Sequence, residues 1–326
     1  MPDRPRSSEL ERIARLRAIY ADPSSGIALH AGIELGIGDD AAVVDGCVLS
    51  VDASIEDTHF RRAWIGRGAT FEDVGYRATI AALSDLAAMG AEPRAILSSL
   101  TLPPDLAEDE LDAIARGIAR AARAHAAPVI GGNLARAAQL GITTTVVGRA
   151  SQRALRRDGA APGDAIWVTG TLGAAAIGLA TLERSALHDG IDRDPFVRRF
   201  LAPFARVDEV RSVAALVRAA IDVSDGLARD LGHLCAASGA GARIELDALP
   251  REPGHDAAAR AVGLDPFAAL LAGGVDYEVL VAAPDDARLG SIATRIGVIT
   301  AAPGIEVVDG RGTRVPLPAG HDHFAR

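Results

Sequence analysis

The sequence predicts a two-domain α/β protein, and three observations carry that prediction. The chain has 326 residues, enough for two domains of ordinary size, each with a substantial core. Short β-branched runs alternate with helical patterns along its length. Between Ala150 and Pro162 the composition turns basic and turn-rich (Arg153, Arg156, Arg157, Asp158, Gly159), which suits a junction between domains at residues 1–150 and 151–326.

An arginine-rich helix is predicted first, over residues 9–20. Asp39 and Asp40 then follow a glycine-punctuated turn, and residues 41–51 read as one strand. Residues 71–89 place Val74, Ala78, Ala81 and Ala82 at helical spacing and carry Asp85 near the end. A strand at 96–102 is stopped by Pro103 and Pro104, and an amphipathic helix covers 108–125. A short strand at 128–130 runs into Gly131, Gly132 and Asn133, and 142–149 is a strand of β-branched residues. In the second half, strands are predicted at 166–169, 242–246 and 277–282. Helices are predicted near 174–182, 207–219 and 227–238, with the apolar segment 220–226 between the last two.

The composition narrows the function classes. A content of 49% hydrophobic and 24% charged residues is that of a soluble globular protein, and no apolar run approaches the roughly 20 residues of a membrane span. The polar stretch from Met1 to Arg12 does not resemble a secretory signal, so a cytoplasmic location is expected. Cys47 and Cys235 stand far apart without metal or redox spacing and read as buried apolar side chains. The formal charge of -9 disfavours binding to a nucleic-acid backbone. An acidic protein can still bind phosphates when divalent cations bridge its carboxylates to the ligand, so the aspartates become the residues to follow.

Six constellations hold them. Gly36-Ile37-Gly38-Asp39-Asp40 sets two carboxylates on a glycine turn, as a shared cation would require, though the same pattern occurs in surface turns. Asp52 ends an apolar strand and His59 follows seven residues later, placed to contact a phosphate or to be an ordinary strand end with a surface histidine. Asp85 lies in an alanine-rich helix, where an unpaired carboxylate is costly and metal ligation explains it better than a core hydrogen bond. Gly131-Gly132-Asn133 offers backbone N–H groups to a phosphate. Asp222, Ser224 and Asp225 cluster at a strand-to-helix turn, where capping accounts for Ser224 or Asp225 but not for Asp222. Gly273-Gly274-Val275-Asp276-Tyr277-Glu278 is a glycine turn followed by acids, equally readable as an ordinary turn into a strand.

In order, GIGDDAA, VDASIEDTHF, LSDLAAMGA, GGN, RRDGAAPGDAIWVTGTLG, IDVSDGLARDLGH, GGVDYE and a terminal HDHF resemble the motif series of the thiamine-monophosphate kinase family, from about Leu35 to Phe324. That family lies in the aminoimidazole-ribonucleotide synthetase superfamily. Its selenophosphate synthetase and hydrogenase-maturation relatives use a reactive cysteine, selenocysteine or lysine, and these motifs contain none. The resemblance implies a two-domain aminoimidazole-ribonucleotide synthetase-like fold, with an N-terminal sheet domain that pairs into a homodimer and a C-terminal α/β domain closing over the site. It implies phosphorylation of thiamine monophosphate by ATP with several magnesium ions. The implied metal ligands are Asp39, Asp40, Asp52, Asp85, Asn133, Asp222 and Asp225, with Asp40, Asp85 and Asp222 central to catalysis. ATP contacts map to Gly132, Asn133, Arg157 and Ser224, and substrate contacts to His59, Val275 and His321.

Three positions depart from the family pattern. Asn133 stands for an aspartate, Val275 for a glutamate, and His321 for an aromatic residue before the terminal Asp-His-Phe. The alternative these departures leave open is a divergent paralogue that binds ATP and phosphorylates another phosphorylated compound, or a non-catalytic nucleotide-binding partner. The retained aspartates favour an enzyme, because a binding protein gains little from keeping so many repelling carboxylates.

Overall fold

The computed structural model describes residues 9–20, 32–151, 153–184 and 194–318. Helix α1 (Glu9–Tyr20) precedes a six-stranded sheet built from β1 (Ile33–Leu35), β2 (Ala42–Val44), β3 (Cys47–Ile55), β4 (Ala91–Leu102), β5 (Val129–Arg136) and β6 (Gly141–Ala150), in the order β1-β2-β3-β6-β4-β5. Helices α2 (Phe71–Ala88) and α3 (Glu108–Ala124) cover one face. Helix α2 starts where it does because Thr70 and Asp73 form a reciprocal capping box: Asp73 N–H donates to Thr70 Oγ1 at 3.1 Å and Thr70 N–H to Asp73 Oδ2 at 3.0 Å. The two helices pack backbone to backbone, since a Cβ on Gly75 would stand 2.1 Å from the Ile114 carbonyl oxygen and one on Gly117 would stand 1.9 Å from that of Glu72. Strand β4 runs through α3 to its parallel neighbour β5, while β6 pairs antiparallel with β3 and β4.

The second sheet comprises β7 (Ala165–Thr169), β8 (Ala219–Val223), β9 (Gly241–Glu245), β10 (Glu278–Ala283), β11 (Ala293–Thr300), β12 (Gly304–Val308) and β13 (Arg314–Val315), in the order β13-β12-β9-β11-β7-β10-β8. Around it lie α4 (Ala174–Leu182), α5 (Asp194–Leu201), α6 (Val207–Val213), α7 (Leu227–Ser238), α8 (His255–Ala261) and α9 (Pro266–Ala272). Helix α7 packs Leu227, Leu231 and Leu234 with Ile166 of β7, Ile221 of the edge strand β8 and Leu280 of β10. Glu278, 1% exposed, opens β10 and is gripped by three elements. Arg206 donates through Nε at 2.6 Å and Nη2 at 2.9 Å, Arg199 of α5 through Nη2 at 2.5 Å, and Thr169 of β7 through Oγ1 at 2.6 Å.

Several predicted elements differ in extent. The single strand expected at 41–51 is a hairpin, because Asp45 (φ 49°) and Gly46 (φ 73°) turn the chain between β2 and β3. The pair is an Asp-Gly turn signal that the apolar run around it masked. The helix expected at 207–219 stops at Val213, because Ala219 and Ala220 are taken into the sheet opposite Ala282 and Val281 of β10. Gly131, Gly132 and Asn133 lie inside β5 rather than in a turn after it.

Candidate metal and phosphate centre

Three elements bring three aspartates to one point. Asp40 enters from the turn before β2, Asp85 from the last turn of α2 and Asp222 from β8 of the second sheet, and each offers a carboxylate oxygen within 4.8 Å of the others. The Asp40 side chain is 1% exposed and Asp222 is 4% exposed, while Asp85 opens on the cleft. Hydroxyl groups fix the carboxylates in place. Ser50 Oγ donates to Asp85 Oδ2 at 2.5 Å, and Ser84 Oγ and Ser224 Oγ donate to Asp222 at 2.9 and 3.3 Å. Arg157 Nη2 donates to Asp40 Oδ1 at 2.6 Å, and the Arg157 N–H points at the Asp39 carboxylate, which also accepts from Asp40 N–H.

The electrostatics of the cluster call for a cation. Burial pushes the Asp40 carboxyl up to about 7 against the pull of Arg157, with Asp222 and Asp39 raising it further. Burial likewise brings Asp222 to about 6, opposed by hydrogen bonds from Ser84 and Ser224 and by Arg157. Asp85 is driven well above the usual carboxylate range by burial and then by Asp222 and Asp40. Asp40 Oδ2 is buried without a hydrogen-bond partner among the described residues. Oxygen donors converging from three elements, mutually repelling and with one lone-pair site unused, fit a hard divalent cation.

Asp85 and Asp222 of the cluster line a cleft of about 410 Å³. Asp52 and Asp225 line it too, the first accepting from Ala53 N–H at 2.6 Å and the second paired with Arg229 at 3.2 Å. Asp230 of α7 holds this loop from behind, its Oδ2 accepting from Ser224 N–H at 3.1 Å and Asp225 N–H at 3.0 Å. His59, Trp64, Arg77, Phe200, Val275 and Tyr277 line the same cleft. His59 Nδ1 accepts from Ile55 N–H at 3.1 Å, which fixes the ring. Val275 (φ 53°) and Tyr277 (φ 52°) are both left-handed, a conformation costly for a β-branched residue. Hydrogen bonds on every side impose it: Val275 N–H donates to Ser224 O and Tyr277 N–H to Val223 O, while the Asp276 carboxylate between them accepts from Gly173 and Ala175 N–H at the start of α4.

Of the residues singled out in the sequence, Asp52, His59, Asp85, Asp222, Ser224, Asp225 and Val275 line this cleft, and Asp39, Asp40 and Arg157 are tied to it by the contacts above. Gly132 and Asn133 do not line it; they sit on the exposed edge strand β5, beside a shallow groove with Ser98, Leu100 and Ile118. His321 lies outside the described residues. The sequence reading missed Ser50, Ser84 and Asp230, whose partners are set only by the fold. It also missed Arg77, a lone charge in the same alanine-rich helix as Asp85.

Residues 38–150 match the family model for the N-terminal domain of AIR synthase related proteins, and residues 161–310 match that for their C-terminal domain. The two-sheet fold with its carboxylate cleft is therefore that of an AIR synthase related protein. The chain is 38% identical over 316 residues to thiamine-monophosphate kinase of Escherichia coli (strain K12), covering 90% of this chain and 93% of that one. To the enzyme of Aquifex aeolicus (strain VF5) it is 34% identical over 297 residues, covering 88% and 92%. A solved structure of AaThiL complexed with AMPPCP and TMP superposes with a TM-score of 0.84 at 30% identity over 97% of both chains. The chain belongs to the thiamine-monophosphate kinase family.

Proposed function

We propose that this protein transfers the terminal phosphoryl group of ATP to thiamine monophosphate, giving thiamine diphosphate, with magnesium ions held by its aspartates. The observation that carries the chemistry is the convergence of Asp40, Asp85 and Asp222 within 4.8 Å, with Asp85 and Asp222 lining a cleft large enough for a small substrate. The curated relatives are named for this reaction, and the AaThiL structure holds both an ATP analogue and TMP. When bound, magnesium supplies positive charge to the phosphate oxygens that meet in the site. Asp40, Asp85 and Asp222 hold it, joined by Asp39, Asp52 and Asp225, while Asn133, on the edge strand β5 outside this cleft, would serve a separate ion. Ser50, Ser84 and Ser224 keep the carboxylates oriented, and Arg157 fixes Asp40 while reaching, with Ser224, for the nucleotide; contacts from Gly132 and Asn133 would come from β5, outside the cleft. His59 and Val275 face the acceptor. A phosphate oxygen of the acceptor is already a nucleophile, so the site needs no strong general base. Appearance of thiamine diphosphate in a chromatographed mixture of protein, ATP, magnesium and thiamine monophosphate tests the reading; its absence would count against it.

The proposal includes the division at residues 1–150 and 151–326, supported by the two separate sheets, and a cytoplasmic location, where ATP is supplied. It also includes a homodimer through the N-terminal sheet. Val51, Thr145 and Leu97 stand in one cross-strand row, with Val51 63% exposed, and on β5 Ile130 and Leu134 are each 64% exposed. Apolar residues on an open sheet face and edge are a surface suited to a second copy. Light scattering at micromolar concentration is expected to give twice the monomer mass of 33.6 kDa. A monomer there would remove the dimer from the proposal.

Asn133 and Val275 provide a sharper check on the acceptor. If both are drift around a working thiamine-monophosphate site, Asn133→Asp adds a charged oxygen for a metal and Val275→Glu returns an acidic substrate contact. Each change is expected to raise kcat/KM for thiamine monophosphate roughly 10-fold, the effect of a charged hydrogen bond. A double variant that folds yet shows no gain would point to another phosphorylated acceptor.

A further inference from the structure

We propose that Arg77 recognises the phosphate of the acceptor, so that the cleft selects a phosphomonoester over the free alcohol; the inference rests on the acceptor proposed above. Arg77 lies on α2 two turns before Asp85, and Arg77, Ala81 and Asp85 all line the cleft. The residue is 7% exposed. Its Nη1 donates to the His59 carbonyl oxygen at 2.9 Å, and its Nε is buried without a hydrogen-bond partner among the described residues. The guanidinium lies 4.2 Å from the centre of the Phe200 ring and 6.0 Å from that of Tyr277.

No carboxylate stands within ion-pair distance of Arg77 among the described residues, and this separates it from the other arginines of the site. Arg157 is committed to Asp40 at 2.6 Å, Arg229 to Asp225 at 3.2 Å and Arg61 to Glu183 at 2.9 Å. The chain contains no lysine that could serve instead. Burying a guanidinium without an anion is costly, and aromatic rings offset only part of the cost. What they do provide is a fixed plane, so that the fork of N–H donors keeps one orientation suited to a phosphate. ATP brings phosphates as well, but Arg157 is bonded to Asp40 and Ser224 to Asp222, whereas Arg77 is bonded to the carbonyl of His59, a residue assigned to the acceptor, and lies over Phe200.

Calorimetric binding of thiamine monophosphate, thiamine and AMPPCP, each with magnesium, to the full-length parent and to Arg77→Met tests this. Methionine keeps an apolar stem against Phe200 and removes the charge. The expected result is a roughly 30- to 100-fold loss of affinity for thiamine monophosphate, with thiamine and AMPPCP each changed less than about threefold. Equal losses for thiamine and its phosphate would show a packing role and overturn the inference. So would a loss confined to AMPPCP, or an unchanged affinity for the phosphate. If the methionine variant does not fold, Arg77→Gln keeps a donor for the His59 carbonyl, and the same split is expected of it. A parent that binds no thiamine monophosphate overturns the acceptor reading together with this one; a binding parent with an unaffected variant overturns this one alone.

Discussion

Replacing Asp85 or Asp222 by Asn is expected to lower ADP formation from ATP and thiamine monophosphate roughly 100- to 1,000-fold, the range for losing one preorganised electrostatic group. The fold should survive both changes. In the metal-free protein these carboxylates are buried and repel one another, and burial with that repulsion lifts Asp85 well above the usual range. Asparagine keeps an oxygen for the Ser50 or Ser84 hydroxyl and removes the repelling charge, so thermal stability without metal should stay equal or rise. The penalty appears only when a cation is needed between phosphates. Circular dichroism alongside the kinetics separates the two effects. Full turnover in either variant, or turnover of the parent in excess chelator, would contradict the assigned ligands.

The second large effect lies away from the cleft. Glu278→Ala is expected to destabilise the protein by about 3–5 kcal/mol, because it strips the anion from a buried ion pair and leaves two guanidinium groups facing each other. Arg206 and Arg199 would lose contacts of 2.5 to 2.9 Å, and Thr169 would lose its acceptor. The node ties β10 to β7 and to α5, which carries Phe200 into the cleft, so affinity for the acceptor should fall with stability. Glu278→Gln keeps the oxygen acceptor and should cost less. Urea unfolding followed by circular dichroism measures both; a midpoint for Glu278→Ala equal to the parent's would show that the network is dispensable.

What the sequence revealed depended on whether the signal was local. The bounds of α1, α4 and α7 were legible because periodicity lies within the segment. Asp85 stood out because a carboxylate in an apolar helix is costly, and metal ligation explains it better than a core hydrogen bond. Its meeting with Asp40 and Asp222 was not legible, since spacing says nothing about a contact formed between two sheets; only the ordered series of motifs implied it. The Asp45-Gly46 hairpin was hidden by the continuous apolar run on either side. The early end of α6 was set by pairing with β10, a tertiary preference that overrode helical periodicity. Arg77 carried the same kind of signal as Asp85, a lone charge among alanines, and became readable once its neighbours were known to be rings rather than carboxylates.

The aspartate cluster, with divalent metal, is expected to pass a phosphoryl group from ATP to thiamine monophosphate. A coupled assay of ADP release, run with and without thiamine monophosphate and with and without magnesium, tests this directly. The expected result is rapid ADP release only when both are present, matched mole for mole by thiamine diphosphate. ADP release indifferent to thiamine monophosphate, or undiminished by chelation of the metal, would contradict it.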